Sequence, residues 1–298
     1  MIQNWLGSGL MPYLIAYSIS FVILLVGSIT DLKTREVPDF VNYGLIISGV
    51  ALNLLFSIVY SNFSFIINSI AGLAIFYAIA WVMFYAGQWG GGDSKMLMGL
   101  GSMIGFNVFS IKTQFLTAFL INALIVGAAY GIIWSVLLVI KNRKGFSREM
   151  KKMLSEPKIV RAKKVLLSLM VLTLAVILFA AKGYVRILLL TLLFMILVTF
   201  YLWIFVKAVE KSCMQKLVEP SKLTEGDWIV NDIYVNKKYI CGPKDLGVGK
   251  KQIRQLIEFY RKGKVKKILI KEGIPFVPSF FLAFIAAFAF GNPLLLII

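Results

Sequence analysis
The chain has 298 residues, of which 59% are hydrophobic and only 15% charged, against roughly 45–50% apolar usage in ordinary soluble domains. A solvated globule of this size would lack the polar surface to cover itself, so a soluble enzyme, a disordered chain, a collagen and a coiled coil are all excluded. The formal net charge is +18, histidine is absent, and Cys213 and Cys241 form no CxxC pair, so His-ligated metals, zinc ribbons and Ser-His or Cys-His nucleophiles are out of reach, and chemistry must rest on Asp, Glu, Lys, Ser or Tyr.

A spanning helix needs about 20 mostly apolar residues. The first candidate, 11–30, is too long and too lightly charged at its start for a cleaved signal peptide. Candidates follow at 42–60 and 65–86, then a short glycine-rich stretch at 95–109 that reads as tilted or re-entrant. With 114–140, these make five helices in a membrane core over 1–140. A basic loop at 141–164 leads into spans at 165–181 and 185–206, close enough around Lys182 to form a helical hairpin over 165–206. Residues 207–275 are long enough for a soluble subdomain: 228–235 alternates as a strand, 249–263 reads as an amphipathic helix and 265–270 as a second strand. The final span is 276–298. The predicted fold class is an all-α polytopic membrane protein of about eight transmembrane helices with a small α+β cytoplasmic subdomain.

With the N-terminus outside, the connections at 31–41, 87–94, 141–164 and 207–275 face the cytoplasm. All 32 Lys and Arg except Lys112, Lys182 and Arg186 then lie on that side, the bias expected of cytoplasmic loops. Topology thus accounts for the net charge, and no nucleic-acid partner is expected. The run at 141–164 reads equally as a face for anionic membrane lipids or as a solvated basic loop. Gly247-Val248-Gly249-Lys250 lacks the upstream glycine and the following Ser/Thr of a phosphate loop, so no nucleotide site is assigned. Trp81, Tyr85 and Trp89 read as interfacial anchors.

Most of the 14 acidic residues lie in the basic connections, where surface pairing explains them. Asp31 and Asp93 are placed differently. Asp31 ends the first apolar run and Asp93 closes Gly90-Gly91-Gly92-Asp93 just before the fourth, so both sit at cytoplasmic helix ends. An ionisable group at the hydrocarbon edge is a functional hypothesis by default. Two carboxylates that approach closely share a proton, so one can activate a water while the other hydrogen-bonds the carbonyl under attack. Glycines before Asp93 would let an extended peptide backbone come near. The simpler readings are a helix cap for Asp93 and an ion pair with Arg35 for Asp31.

Three motifs in this order, Asp31-Leu32-Lys33 with Val37-Pro38-Asp39, Gly90-Gly91-Gly92-Asp93-Ser94-Lys95, and Gly273-Ile274-Pro275-Phe276-Val277-Pro278, resemble those of the type IV prepilin peptidases, GxGD-type membrane aspartyl proteases. The likeness is greatest to the archaeal preflagellin and prepilin branch, and it extends to Leu223-Thr224-Glu225-Gly226-Asp227-Trp228. It implies an endopeptidase of the cell membrane that cuts short leader peptides from archaellin- and pilin-like precursors at the cytoplasmic face. Asp31 and Asp93 match the catalytic aspartates, Gly90 and Gly92 the loop glycines around Gly91, and Lys95 a basic position with a local electrostatic role. No metal and no cofactor are implied. Asp39 stands where the family often has Asn and adds a third carboxylate. The four-cysteine domain of bacterial members is missing, so methyl transfer is not implied, and the hairpin over 165–206 exceeds the usual core of about six helices. Two other classes are weighed: an intramembrane protease of the presenilin type, whose helical Tyr-Asp and later Pro-Ala-Leu motifs are missing here, and a transporter or channel, which would place polar residues at the midplane or show repeats.

Overall fold
The computed structural model describes residues 10–111, 114–179 and 182–296. Lys112, residues 180–181 of the sixth predicted span and 297–298 of the last lie outside the described residues. Among those described, seven helices are long and apolar enough to cross a membrane. They are α1 (Leu10–Thr34), α2 (Asp39–Val59), α3 (Ser64–Tyr85), α5 (Phe115–Lys141), α7 (Pro157–Phe179), α8 (Gly183–Val209) and α10 (Val277–Phe290), the last continued by a 3-10 turn at Pro293–Leu296. The chain is a polytopic, predominantly helical membrane protein carrying a small strand-containing module.

The fourth predicted span is the exception. It is α4 (Gly91–Ile104), a 14-residue helix, which at 1.5 Å per residue reaches about 21 Å and falls short of a hydrocarbon core of about 30 Å. It begins at Gly91 rather than Lys95, and Gly105, at φ 77°, ends it. Its residues from Ser94 to Ile104 are mostly buried by α2 and α3, so it needs no lipid-facing length. Beyond it the backbone is irregular at depth, which is tolerated where protein satisfies it: Phe106 N–H donates to the Asn68 carbonyl (2.8 Å) and Asn107 N–H to Gln114 Oε1 (2.8 Å).

Glycine sets how closely α4 is held. A Cβ on Gly72 would lie 2.1 Å from the Gly101 carbonyl oxygen, and one on Gly101 2.5 Å from the Gly72 carbonyl oxygen, so α3 and α4 touch backbone to backbone. On the α2 side, Asn53 Nδ2 donates to the carbonyls of Gly49, Ser102 and Met103 at 2.9, 3.2 and 3.0 Å, and Ser69 Oγ donates to Ser102 at 2.6 Å. These bonds satisfy carbonyls at the end of α4 that have no helical partner. Around them Leu24, Leu45, Phe76, Met96, Leu100, Phe119, Phe280 and Phe284 form one core drawn from α1 to α5 and α10. Exposed Val22, Ile47, Ile67 and Leu124 cover the outside of the bundle.

The segment at 141–164 is not a loop. It forms α6 (Arg143–Leu154) and the start of α7. Phe146, Met150, Met153 and Leu154 recur at helical spacing within the charges and pack on Ile159, Ile204 and Ala208, while Asn142 Oδ1 caps α6 by accepting from Gly145 N–H (3.2 Å). Only 6% of α7's apolar window and 11% of α8's is buried, so the hairpin presents its length to lipid.

After α8 and a π-helical turn at Glu210–Met214, β1 (Gln215–Val218), β5 (Ile268–Lys271) and β2 (Trp228–Ile229) form an antiparallel sheet with β5 central. The predicted strand at 228–235 breaks in two: β2 joins that sheet, and β3 (Ile233–Val235) pairs with β4 (Lys238–Cys241) in a hairpin whose turn residues Asn236 and Lys237 both have positive φ. The helix α9 (Lys250–Arg261) closes the module core through Leu256 against Ile229, Val248 and Ile268. The Gly247–Lys250 stretch serves this fold: Gly249 N–H donates to Gln252 Oε1 (2.8 Å) and Lys250 pairs with Glu225 (3.1 Å).

Two outcomes are expected. Gly72→Ala or Gly101→Ala should cost about 1–3 kcal/mol or more by overpacking, read as a lowered melting temperature in detergent. Cys241 is fully buried and burial pushes its thiol up to about 11, so a maleimide should modify half-buried Cys213 in the native protein and Cys241 only after denaturation.

Candidate active site
Asp31 lies in the last turn of α1 and Asp93 in the first turn of α4, at one end of the bundle. The two helices are drawn together at Gly27, where a Cβ would sit 2.7 Å from Met96 Cε and 3.3 Å from Val277 Cγ1. The two carboxylates are near enough for direct electrostatic interaction.

Each carboxylate accepts a backbone N–H. The Val277 N–H, at the start of α10, donates to Asp31 Oδ2 at 3.0 Å, so the N-terminus of the last helix caps a residue of the first. Asp93 Oδ2 accepts from the Gly90 N–H at 2.9 Å. Asp93 is therefore the third residue of its helix, with Gly90 as the N-cap; the reading of Asp93 itself as N-cap is off by three positions because the glycines belong to the first turn. Gly91 and Gly92 accordingly stand in the helix rather than in a loop. Gly91 is exposed and a Cβ there would meet nothing within 4 Å, while one on Gly92 would lie 3.6 Å from Val37 and one on Gly90 3.3 Å from Asp93 Oδ2.

Arg35 stands in the left-handed region at φ 62° and remains near enough to Asp31 for electrostatic interaction. Arg35 Nη1 donates to the Gly273 carbonyl at 2.8 Å and the guanidinium lies over Trp134, 5.4 Å from the ring centroid. Tyr130 stacks on Trp134 at 5.7 Å, and its hydroxyl is buried with no hydrogen-bond partner among the described residues. Asp39 is exposed and Lys95 Nζ meets its Oδ1 at 2.5 Å, with the ammonium 5.0 Å from the Tyr43 centroid. The third carboxylate is thus occupied by Lys95. Trp89 is not an interfacial anchor: it is buried and meets Phe280 edge-on at 5.3 Å, whereas Trp81 and Tyr85 remain exposed.

The contributions of Val277, Arg35, Trp89 and Tyr130 were not assigned from sequence, because each depends on contacts between distant segments. The Gly273–Pro278 motif is the one signal that points to them. The half-exposed Lys95–Asp39 pair should be worth at most about 1 kcal/mol, so a double-mutant cycle with Asp39→Asn and Lys95→Met should show a coupling of that size in thermal unfolding, with the bundle intact.

Comparison with known proteins meets the site directly. Residues 5–132 match the type IV leader peptidase family. The chain is 38% identical over 101 residues to a preflagellin peptidase of Methanococcus voltae, covering 34% of this chain and 43% of that protein. It is 37% identical over 91 residues to a preflagellin peptidase of Methanococcus maripaludis, 30% of this chain and 39% of the relative. A third, of Methanocaldococcus jannaschii, is 36% identical over 91 residues, 30% and 38% of the two chains. The chain therefore spans about two fifths of the length of the curated relatives it matches. No solved structure gives a significant match. The stretch similar to the type IV leader peptidase family is the one that carries α1 to α4 and most of α5, with Asp31, Asp93 and the glycines between.

Proposed function
We propose that this protein is a membrane aspartyl endopeptidase that removes the leader peptides of archaellin- or pilin-like precursors, with Asp31 and Asp93 as its dyad at the cytoplasmic face. One observation carries the reading: two carboxylates from separate helices lie within electrostatic reach at one bundle end, each held by a backbone N–H, near the exposed Gly91. The similarity to preflagellin peptidases supports it.

The chemistry needs only these groups. Two neighbouring carboxylates hold one proton between them. The ionised one takes a proton from water as the water oxygen attacks the peptide carbonyl carbon, and the protonated one donates a hydrogen bond to the carbonyl oxygen. Collapse of the tetrahedral intermediate breaks the C–N bond, and the departing nitrogen takes up a proton to leave as an amine. The substrate must present an extended backbone, and the missing side chain at Gly91 leaves it space. A scissile bond just before an apolar segment would reach this site while that segment lies in the membrane. By resemblance to the prepilin peptidases, the leader would end in a small residue such as glycine after a basic one. Arg143, Lys144, Arg148 and Lys151 line one face of α6, and on this reading that face meets anionic lipid headgroups; no nucleic-acid partner is proposed.

Asp31→Asn and Asp93→Asn should each abolish cleavage of a synthetic precursor N-terminus without loss of the folded bundle, and the double variant should be no worse than either. Asp39→Asn should keep substantial activity; its loss alone would move the role from Asp31 to Asp39. Cleavage should survive EDTA, since protein carboxylates activate the water, and loss restored by one metal would overturn the mechanism. Single cysteines at Lys33 and Lys152 should react with an impermeant reagent from the cytoplasmic side and one at Asn62 from outside; the reverse pattern would move the site to the other face.

A further inference from the structure
The two aspartates are supported by different parts of the chain, and both supports lead to the same two strands. On the Asp93 side, the turn between α3 and α4 includes Gly87, held at φ 67°. A Cβ on Gly87 would lie 3.2 Å from Trp228 Cη2 and 3.6 Å from Cζ3, so the far edge of the indole closes over this turn. The turn continues through buried Trp89 to Gly90, whose N–H holds Asp93. On the Asp31 side, the Val277 N–H holds the carboxylate and the Gly273 carbonyl holds Arg35. Both follow directly from β5. Trp228 is the first residue of β2 and stands opposite Lys271, the last residue of β5. One residue on, the Glu272 N–H is fixed to the Met214 carbonyl (2.8 Å), where α8 delivers the chain to the module.

We propose that the β2–β5 pair braces the dyad, with Trp228 as the positioning residue that sets the Asp93 turn against the strand from which Asp31 is clamped. The proposal rests on the reading of Asp31 and Asp93 as the dyad. A module core does not explain the arrangement: Trp228 is half-buried, is absent from the module's hydrophobic cluster, and directs two ring atoms onto a glycine of a different segment. The left-handed backbone at Gly87 is the feature that lets the ring approach, since almost any side chain there would strain the turn and meet the indole. Displacing one carboxylate by a fraction of an ångström leaves the substrate's contacts largely in place and spoils the chemical step.

The test uses the full chain in detergent with a synthetic precursor N-terminus, a basic leader ending in Gly before an apolar segment. Trp228→Phe keeps an aromatic ring on β2 but withdraws the atoms nearest Gly87, and Gly87→Asn keeps the left-handed backbone, which Asn tolerates, while placing a side chain in the gap. Each should lower kcat about ten-fold or more and leave KM within about two-fold, and the double variant should be less than additive. A second readout is independent of cleavage. With Cys213→Ser and Gly91→Cys, the new thiol should react faster with a maleimide in either variant than in the Trp228, Gly87 parent, while buried Cys241 stays protected and reports a folded module. Tyr234→Ala, on the exposed side of the β3–β4 hairpin, should change neither readout. Unchanged kcat, a rise in KM alone, strictly additive effects or an unchanged Gly91→Cys rate would each overturn the brace. If the dyad assignment itself fails, Asp93→Asn stays active while the labelling comparison still reports the contact between Trp228 and Gly87.

Discussion
A carboxylate at the end of an apolar bundle has to be supplied with hydrogen-bond donors by the chain itself, and the bond from the Val277 N–H to Asp31 is the constraint on which the arrangement turns. It joins the first long helix to the last across almost the whole sequence. For the start of α10 to face Asp31, the Gly273–Pro278 segment must pass over the end of α1, where Arg35 holds the Gly273 carbonyl and Trp89 packs on Phe276 and Phe280. An N–H at a helix start is free of helical partners and carries the positive end of the helix dipole. The same physics serves Asp93 locally, through the Gly90 N–H of its own helix.

Bringing α4 to that place requires backbone contact with its neighbours, and this is why the helix is short and rich in glycine and serine. Gly99 and Gly101 admit Leu45 and the Gly72 backbone, while Ser102 and Asn53 take up the polar groups that a helix ending inside a bundle leaves open. A longer, more apolar α4 would span lipid better and would keep its neighbours at a normal interhelical distance of about 8–10 Å. Its 14 residues instead lie inside protein and carry Asp93 to the bundle end.

The segments beyond residue 132, outside the matched family region, fall into two kinds. The α7–α8 hairpin contributes its own small core with α6 and shows most of its surface outward. The module is different, because its central strand runs straight into the motif that holds Asp31 and its Trp228 reaches the turn before Asp93. Residues remote in sequence from both aspartates thereby define where the carboxylates stand.

By itself the sequence determined the membrane class, the approximate spans and the two aspartates to consider, because hydropathy over about 20 residues and charge at the edge of an apolar run are local properties. It also marked the Gly273–Pro278 segment without giving its task. It missed α6, whose apolar positions are diluted by ten cationic neighbours across 141–164, and it ran β2 and β3 together, since alternation continues through a bend. Four things were left to the tertiary structure: that Lys95 takes Asp39, that Arg35 reaches the Gly273 carbonyl, that Trp89 is core, and that Val277 caps Asp31. Each of the four depends on helices and loops whose mutual positions are set by backbone contact at glycines and by packing over the whole bundle, and no pattern of neighbours along the chain encodes which partner a side chain will meet.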